Sequence, residues 1–244
     1  MTQSKHCPPA DLASVAVLIP AWQPDRELLA LLDGLLSSGF GAVLVVDDGS
    51  GPNSQDVFER AGRMPRVRVL RHAVNLGKGR ALKTGMNYLL NEFPQLNALV
   101  TADADGQHRV HDIVAVGQAL CTEPRRVVLG VRAFVGGVPL RSRLGNILSR
   151  QVFSLVTGAR LSDTQTGLRG FPRSLLPRLL QIEGERYEYE MAVLAHVYRR
   201  APKPIEVPIQ TVYLQANRSS HFRPVRDSIR IGRCLARLWL QALP

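Results

Sequence analysis

The sequence has few cysteines and no long hydrophobic run, and each shortage excludes a class of protein. The three cysteines among its 244 residues, Cys7, Cys121 and Cys234, are an odd number without a CxxC spacing. A disulfide framework is therefore not expected, and a reducing, cytosolic setting is favoured. Apolar runs such as residues 15–19 and 42–46 have five residues each. They fall far short of the roughly 18 to 20 residues that cross a bilayer, so no membrane span is predicted.

The first residues also lack the features of a targeting segment. Between Met1 and Ser14 there are two prolines, one lysine and one aspartate, but no apolar core. Neither a signal peptide nor an anchor is expected there. We predict a disordered lead over residues 1–13.

Lysine is scarce, whereas arginine is abundant. The chain has 4 lysines and 27 arginines, and its formal net charge is +11. Two segments, residues 121–150 and 215–244, each hold six arginines and a single acidic residue. Because a guanidinium is a rigid fork of donors that suits phosphate, these arginine clusters indicate an anionic partner. A general preference of the genome for arginine would explain the excess but not the clustering.

Short β-branched runs alternate with helix-length segments through the first half of the chain. Strands are predicted at 15–20, 42–47, 66–71, 97–101 and 126–131, with helices at 25–38, 53–63, 79–92 and after Val110. Further elements are predicted at 143–157 (helix), 166–171 (strand), 188–199 (helix) and 204–210 (proline-bounded edge strand). The alternation predicts one α/β domain with a mainly parallel central sheet and helices on both faces, a three-layer α/β/α arrangement.

Polar residues follow three of the predicted strands, where open α/β sheets bind their ligands. Asp47 and Asp48 end the second strand, and Asp103 and Asp105 follow the fourth. Asp103 and Asp105 can turn carboxylate oxygens towards one point, with Gln107 as a neutral oxygen, and such ligands suit Mg²⁺ or Mn²⁺. A solvated loop whose aspartates cap the next helix is the alternative.

The other two strand ends carry less specific signals. One of Asp47 and Asp48 is predicted to accept a hydrogen bond from a base or a ribose, although a turn-forming Asp-Gly-Ser also explains Asp48. In the segment 75–80, Asn-Leu-Gly-Lys-Gly-Arg, the glycines are expected to let the backbone approach a ligand, and Lys78 or Arg80 to meet negative charge. This segment matches neither GxxxxGK[ST] nor GxGxxG.

Seven motifs, taken together, resemble those of one enzyme family. The first four are Ile19-Pro20-Ala21-Trp22, Val46-Asp47-Asp48-Gly49-Ser50, Asn75-Leu76-Gly77-Lys78-Gly79 and Asp103-Ala104-Asp105-Gly106-Gln107-His108. In this order and spacing they resemble the family 2 glycosyltransferases of GT-A fold. The others are Ser162-Asp163-Thr164-Gln165-Thr166-Gly167-Leu168-Arg169-Gly170-Phe171, Tyr187-Glu188-Tyr189-Glu190 and Asn217-Arg218-Ser219-Ser220-His221-Phe222. They are similar to those of the dolichol- and polyprenyl-phosphate sugar transferases.

The resemblance implies a GT-A fold in which a nucleotide-diphosphate sugar lies across the first four strand ends. It assigns nucleotide-sugar binding to Pro20, Trp22, Asp47, Asp48, Lys78, Asp103, Arg218 and His221. Asp47 or Asp48 would hold the base and Asp103 the ribose side, while Arg218 and His221 would close over the diphosphate. The implied cofactor is Mg²⁺ or Mn²⁺, held by Asp103, Asp105 and Gln107.

The resemblance also implies the reaction. It is the inverting transfer of a sugar from a UDP- or GDP-sugar to a polyprenyl phosphate at the cytoplasmic face of the plasma membrane. The implied catalytic residues are Asp105, Asp163 and Glu190, and the implied acceptor-phosphate ligands are Arg132, Arg141 and Arg143. Since a phosphate acceptor is already an anion near neutral pH, Asp163 or Glu190 is expected to orient sugar or acceptor rather than to take a proton. A sugar-hydroxyl acceptor would reverse that expectation.

The sequence departs from the family pattern at its first motif. The usual Pro-Ala-Tyr-Asn-Glu is here Pro20-Ala21-Trp22-Gln23-Pro24, so the glutamate is missing and Asp25 follows. Many relatives also continue into C-terminal membrane helices.

The end of the chain predicts a basic amphipathic helix over residues 223–244, after a glycosyltransferase domain over 14–222. Arg223, Arg226, Arg230, Arg233 and Arg237 share one helical face. The helix is expected to lie on an anionic membrane surface, where each arginine contributes about 1 kcal/mol. Packing on the core with a solvated basic face is the alternative.

Three other functions compete with this interpretation. The same donor chemistry could serve a saccharide or lipid hydroxyl acceptor. A nucleotidyltransferase would need a GxGTRxxP loop where the chain has Ala21-Trp22-Gln23-Pro24. A non-catalytic basic module that binds nucleic acid or membrane is disfavoured, because aromatics are only 6% of the chain and the paired carboxylates would repel phosphates. Nucleic acid is thus not an expected partner, and the oligomeric state is left open.

Overall fold

The alternating pattern of the sequence forms strands and helices in the computed structural model, which describes residues 11–132, 153–154, 166–200, 202–210, 230 and 232–233. The strands in this part of the chain are β1 (Val15–Ala21), β2 (Ala42–Asp47), β3 (Val67–Arg71), β4 (Ala98–Thr101), β5 (Val128–Arg132), β6 (Arg169–Pro172) and β7 (Ile205–Ile209). The helices are α1 (Glu27–Ser37), α2 (Gln55–Gly62), α3 (Lys78–Glu92), α4 (Val110–Thr122), α5 (Leu176–Leu180) and α6 (Tyr187–Arg200). Among the described residues, no helix combines the length and the apolar character that crossing a membrane requires.

The strands form one sheet in the order β3-β2-β1-β4-β6-β5-β7. β6 is antiparallel to both of its neighbours, and the other adjacent pairs are parallel. Therefore the last residues of the other six strands and the first residue of β6 lie along one edge of the sheet, which we call the carboxyl edge. The predicted mainly parallel sheet is confirmed, as is the edge position of β7.

Side chains of alternate strand residues enter two separate apolar cores. Val17, Ile19 and Val45 belong to the core that α1, α2 and α4 cover. Leu18 and Leu44 belong to the other core, under α3, α5 and α6. Because successive residues of a strand point to opposite faces, a strand that is apolar throughout needs helices on both sides. The predicted three-layer arrangement is confirmed.

Most predicted elements occur within a few residues of their predicted bounds, with two differences. The described fold begins before residue 14, because Leu12–Ser14 form a 3-10 turn with Leu12 buried and Asp11 capping it. The predicted disordered lead is therefore too long, and residues 1–10 lie outside the described residues. The short helix α5 was not predicted. The predicted helices at 143–157 and 223–244 fall almost wholly outside the described residues.

Several arginines bond to backbone carbonyls of the fold itself. The Arg173 guanidinium donates to the carbonyls of Leu90, Phe93 and Leu96 at 2.8 to 3.2 Å, at the C-terminal end of α3. Arg66 donates in the same way to the carbonyls of Leu36, in the last turn of α1, and Phe40, just after it. These carbonyls have no partner within the helix, and a cation suits that end of the helix dipole. Part of the arginine excess therefore serves the fold rather than an anionic ligand.

Candidate active site

The carboxyl edge brings together the polar strand ends that the sequence singled out. Ala21 at the end of β1 pairs with Asp47 of β2, and Asp48 N donates to Ala21 O at 2.8 Å. On the other side of β1, Ala102 N donates to Leu18 O at 3.0 Å, just beyond β4. The two acidic segments therefore flank the end of β1, with the loop after β3 beside the first of them.

Asp47 and Asp48 are both buried and both hydrogen-bonded within the protein. The Asp47 carboxylate accepts from Ser50 N at 2.8 Å and faces Arg71 Nε at 3.3 Å. The Asp48 carboxylate accepts from the backbone N–H groups of Leu76 and Gly77 at 2.9 and 2.8 Å. Asp48 therefore holds the loop after β3. Of the two, Asp47 has the partner that solvent reaches, since the Arg71 side chain is 61% exposed.

His72 extends the contacts of Asp48 to α3. Its Nδ1 lies 2.8 Å from Asp48 Oδ1, and its Nε2 lies 2.9 Å from Thr84 Oγ1. A neutral ring with its proton on Nδ1 satisfies both contacts, because it donates to the carboxylate and accepts from the hydroxyl. We call these contacts of Asp48 with His72, Leu76 and Gly77 the Asp48 latch. The latch links β2, β3 and α3.

The glycines before α3 approach the start of α6. Gly77 has φ +111°, and a Cβ on it would collide with the backbone carbonyl of Glu185. At Gly79 a Cβ would lie 2.6 Å from Tyr189 Cβ. Arg80 pairs with Glu185, with 2.6 Å between Nε and Oε2. In this structure the two glycines let the backbone before α3 lie close to the backbone before α6. The negative charge that Arg80 meets is the Glu185 carboxylate.

Lys78 lies between two carboxylates that come from different elements. Its Nζ is 2.6 Å from Asp103 Oδ1, just beyond β4, and 3.0 Å from Glu190 Oε2, in the first turn of α6. Burial disfavours the ammonium, but Asp103 and Glu190 outweigh it and hold the pKa of Lys78 above its usual value. Burial likewise disfavours the Asp103 carboxylate, and Lys78 with His108 more than compensates, so the pKa of Asp103 lies below its usual range.

Two further residues surround the Asp103 carboxylate. His108 is buried, and its Nε2 lies 3.5 Å from Asp103 Oδ2. Gly167, just before β6, leaves room for the carboxylate, because a Cβ there would lie 2.5 Å from Oδ2 and 2.7 Å from Oδ1. Thr101 Oγ1 fixes this position by donating to Gly167 O at 2.9 Å. Any larger residue at position 167 would displace Asp103 or the strand that carries it.

Asp105 differs from Asp103 in having no cation within ion-pair distance among the described residues. Its Oδ1 accepts from Gln107 N at 3.1 Å. Burial and then the negative charge of Asp103 raise the pKa of Asp105 above its ordinary value. A carboxylate of this kind fits a divalent cation, which would neutralise its charge. In the described part of the chain, no three His, Cys, Asp or Glu side chains converge on one metal position.

The motif at residues 19–22 is connected to the site by a backbone hydrogen bond. Pro20 and Trp22 are half-buried at the end of β1. Gln23 has φ +51°, in the left-handed region, and its N–H donates to Ser50 Oγ at 2.8 Å. The end of β1 is thereby attached to the turn that Asp47 closes.

The remaining predicted site residues are divided between described and undescribed parts of the chain. Arg132 ends β5, and the parallel pairing of β5 with β7 puts it on the carboxyl edge. Arg141, Arg143, Asp163, Arg218 and His221 lie outside the described residues. The segment with Arg218 and His221 follows Gln210, whose N–H donates to both oxygens of the buried Asp112 at 3.2 Å.

Three positions were missed in the sequence. His72 gave no signal, because a lone histidine at the end of a strand has no recognisable spacing. Gly167 stands in one of the quoted motifs but was given no role, because it precedes the antiparallel strand β6 and inspection of the residues that follow strands does not reach it. Glu185 could have been found only by its place two residues before α6, where its N–H donates to Glu188.

Comparisons with known proteins agree with this geometry. The family model for glycosyl transferase family 2 matches residues 16–180. An uncharacterized protein of Methanocaldococcus jannaschii is 30% identical over 210 residues, which are 84% of each chain. The UDP-N-acetylglucosamine–dolichyl-phosphate N-acetylglucosaminyltransferase of Methanococcus voltae is 28% identical over 221 residues, 82% of this chain and 86% of the relative. The dolichyl-phosphate beta-glucosyltransferase of Drosophila melanogaster is 28% identical over 262 residues, 94% of this chain and 75% of the relative.

A solved structure has the same fold. It is the glucosyl-3-phosphoglycerate synthase of Mycobacterium tuberculosis in complex with Mn²⁺, UDP and glucosyl-3-phosphoglycerate. The TM-score is 0.70 at 15% identity, and the match covers 99% of this chain and 86% of that one. With a GT-A sheet, acidic strand ends and a family match over most of its length, the chain belongs to glycosyl transferase family 2 and is a glycosyltransferase that resembles the dolichyl-phosphate sugar transferases.

Proposed function

We propose that the protein transfers a sugar, with inversion, from a UDP- or GDP-sugar to a polyprenyl phosphate. The observation that carries this proposal is the group of Lys78, Asp103, Asp105 and Glu190 on the carboxyl edge of a family 2 glycosyltransferase. One ammonium lies there beside several carboxylates, which suits a ligand that combines phosphates, hydroxyls and a cation.

The donor nucleotide would bind between the ends of β1, β2 and β4. Asp47, with the exposed Arg71 beside it, is the better candidate for the base, because Asp48 is committed to the latch. Asp103 would face the ribose, and Pro20 and Trp22 would border the nucleotide on the β1 side. Support comes from the Methanococcus voltae relative, which is named for a UDP-sugar, and from the Mycobacterium tuberculosis synthase, which was solved with UDP.

A Mg²⁺ or Mn²⁺ ion would be held through Asp105, with Gln107 as a further oxygen ligand; Asp103, which the resemblance also implies as a ligand, is already paired with Lys78. The fit rests on Asp105, which is the carboxylate of this loop that lacks a nearby cation among the described residues. When bound, the ion supplies Lewis-acid stabilisation of the departing diphosphate. Arg218 and His221 are the residues of the chain that would add positive charge from the other side.

The acceptor phosphate would bind at the end of β5. Arg132 lies there on the carboxyl edge, and Arg141 and Arg143 follow it in the sequence. Since a phosphate acceptor is already ionised, Glu190 and Asp163 would orient sugar and acceptor rather than remove a proton. The names of the relatives, which include two dolichyl-phosphate transferases, support a lipid phosphate.

If the acceptor is a lipid phosphate, the enzyme acts at a membrane surface. The basic helix predicted over residues 223–244 would hold the enzyme on anionic lipid at the cytoplasmic face of the plasma membrane. This association is peripheral, through arginines at the headgroups.

The donor half of the proposal is tested by a thermal-shift panel of UDP- and GDP-sugars with and without Mn²⁺, followed by slow hydrolysis of the sugar that binds. Asp105→Ala is expected to reduce hydrolysis about 100-fold or more, because it removes the principal metal ligand. Asp33→Ala, on the exposed face of α1, is the matched control and should keep full activity. Absence of any nucleotide-sugar binding across the panel would refute the donor assignment.

The acceptor half is tested by transfer to short polyprenyl phosphates. We expect product with the phosphate and none with the corresponding free alcohol. Preference for a saccharide or lipid hydroxyl over every lipid phosphate would overturn the acceptor assignment and leave the donor assignment intact.

A further inference from the structure

We propose that Lys78 is a positioning residue: a built-in cation that ties Asp103 to Glu190 and reserves Asp105 for the divalent ion. Only the last clause rests on the proposed function, since the ion pairs exist without any ligand. The sequence, by resemblance, placed Lys78 on the donor. Its contacts assign it instead to the protein's own carboxylates.

The position of Lys78 is fixed by the backbone that precedes it. Lys78 is the first residue of α3, and both residues before it donate N–H groups to Asp48. His72 braces Asp48 against Thr84, one and a half turns further along α3. The Lys78 side chain is only 18% exposed. The Asp48 latch therefore fixes the start of α3, and with it the position of the Lys78 ammonium between the two carboxylates.

The two carboxylates that Lys78 holds would repel each other without it. Asp103 Oδ1 and Glu190 Oε2 both lie within 3.0 Å of the same nitrogen, so a single cation can contact both. Their side chains are 26% and 14% exposed, which limits screening by water. A small free cation can take the place of the ammonium if the ammonium is removed.

Asp105 is the nearby carboxylate that does not pair with Lys78. Its contact is the backbone N–H of Gln107, and among the described residues no lysine or arginine pairs with it. The loop after β4 thus presents one carboxylate satisfied by the protein and one open to an external cation. Lys78 separates the two tasks.

Lys78→Met, which keeps the length of the side chain but not its charge, tests the proposal in the full chain. Without metal it is expected to lower the melting temperature by about 5 °C, because two partly buried carboxylates lose their shared cation. Mn²⁺ alone, followed by electron paramagnetic resonance, should bind Lys78→Met about tenfold more tightly than the wild type, because Asp103 and Glu190 become free to act as ligands. Lys78→Arg should restore most of the melting temperature.

The matched control is Lys83→Met. Lys83 is also on α3 and also pairs with a carboxylate, with 3.4 Å between its Nζ and Glu185 Oε1, but it lies outside the site. It should leave Mn²⁺ affinity and catalysis unchanged. If Lys78 instead grips the donor diphosphate, Lys78→Met will leave the metal-free melting temperature and Mn²⁺ affinity unchanged and raise KM for the donor; that result would overturn the proposal. The proposal expects kcat to fall more than KM rises.

A double-mutant cycle gives a second test. Glu190→Gln should lower the melting temperature in the wild type, where it removes a partner of Lys78, and raise it in Lys78→Met, where it removes a repelling charge. If Lys78→Met does not fold, the double variant is expected to recover soluble protein; continued loss of folding would contradict the proposal. Failure of the donor or acceptor assignment leaves these metal-free results unaffected, so the two sets of claims fail separately.

Discussion

Asp103 and Asp105 stand two residues apart on one loop, yet their surroundings move their pKa values in opposite directions. Both are partly buried, which favours the neutral acid. At Asp103 the neighbouring Lys78 and His108 reverse that preference, whereas at Asp105 the charge of Asp103 adds to it. Ionised Asp103 therefore stabilises the fold at any pH above the ordinary carboxyl range, and this contribution is lost as the pH falls below that range. Ionised Asp105 destabilises the fold above the ordinary carboxyl range, and this cost disappears as the pH falls and Asp105 takes up a proton.

This difference predicts that Asp105→Asn stabilises the protein at pH 7. Because the folded-state pKa of Asp105 is raised, its ionisation destabilises the fold once the pH exceeds the unfolded value of about 4. The neutral amide avoids that cost, and the melting temperature should rise by about 2–4 °C in metal-free buffer. Calorimetry at pH 7 and near pH 4 measures it, and the gain should shrink at the lower pH, where Asp105 regains a proton.

Asp33→Asn is the control, since Asp33 is exposed on α1. It should leave the melting temperature unchanged at both pH values. An unchanged or lower melting temperature for Asp105→Asn at pH 7 would contradict the prediction, because it would show that ionised Asp105 does not destabilise the fold.

For single residues, the sequence predicted positions at the carboxyl edge better than it predicted side-chain contacts. The spacing of Asp103, Asp105 and Gln107 after a buried strand was enough to place them at the carboxyl edge. The contact of Lys78 with Glu190 was not predictable, because it joins residues 112 positions apart and depends on how α6 packs against α3.

At the scale of single elements, α3 is fastened at both ends by charged side chains. Its first residue, Lys78, forms ion pairs with Asp103 and Glu190. The carbonyls at its C-terminal end accept hydrogen bonds from the Arg173 guanidinium. The helix thereby connects the carboxyl edge to the opposite side of the sheet. Its position is set by electrostatics at the ends and by apolar packing of Leu82, Met86 and Leu89 between them.

Arg173→Met should therefore destabilise the protein by about 2 kcal/mol, because three backbone carbonyls lose a charged donor. Urea unfolding, read by circular dichroism, gives the change in free energy of unfolding. Arg178→Met, on an exposed residue of α5, is the control and should stay within about 0.5 kcal/mol of the wild type. Equal effects of the two substitutions would show that the Arg173 bonds contribute nothing.

The sequence was most informative about elements with strong periodicity. β2 was predicted with its observed bounds and α3 within one residue, and α4 was predicted without an end, since apolar spacing indicates these elements. The direction of β6 could not be predicted, because it depends on the path of the connection from β5 and leaves no trace in a four-residue strand. Helix α5, five residues with a proline, is too short for its period to be recognised.

At the scale of the whole molecule, stability is expected to fall from the centre of the sheet to its edges. β1, β2 and β4 are buried along nearly their whole length, whereas the edge strands β3 and β7 each have one buried residue and leave the others partly or fully exposed. Paired on both sides and shielded by both cores, the central amides open only with larger unfolding events.

Hydrogen exchange followed by mass spectrometry tests this order. Peptides from β1 and β2 should exchange at least about 100-fold more slowly than peptides from β7. Peptides that cover the Asp48 latch should resemble the central strands, although they belong to a loop, because both latch amides are bonded to a buried carboxylate. Rapid exchange at Leu76 and Gly77 would contradict the latch.

The reversal of β6 has a consequence for how such a fold can diversify. Because β6 runs against its neighbours, β5 ends and β6 begins at the same edge of the sheet, so the connection between them leaves and returns at the site. Both ends of such a connection are fixed by strands, so it can change without shifting the register of β5 or β6, provided that Phe153 and Leu168, which lie in the two cores, are kept. Apart from these two residues and Gly167, residues 133–168 can therefore change under selection for a new acceptor while β1 to β4, which carry the proposed donor site, are left untouched.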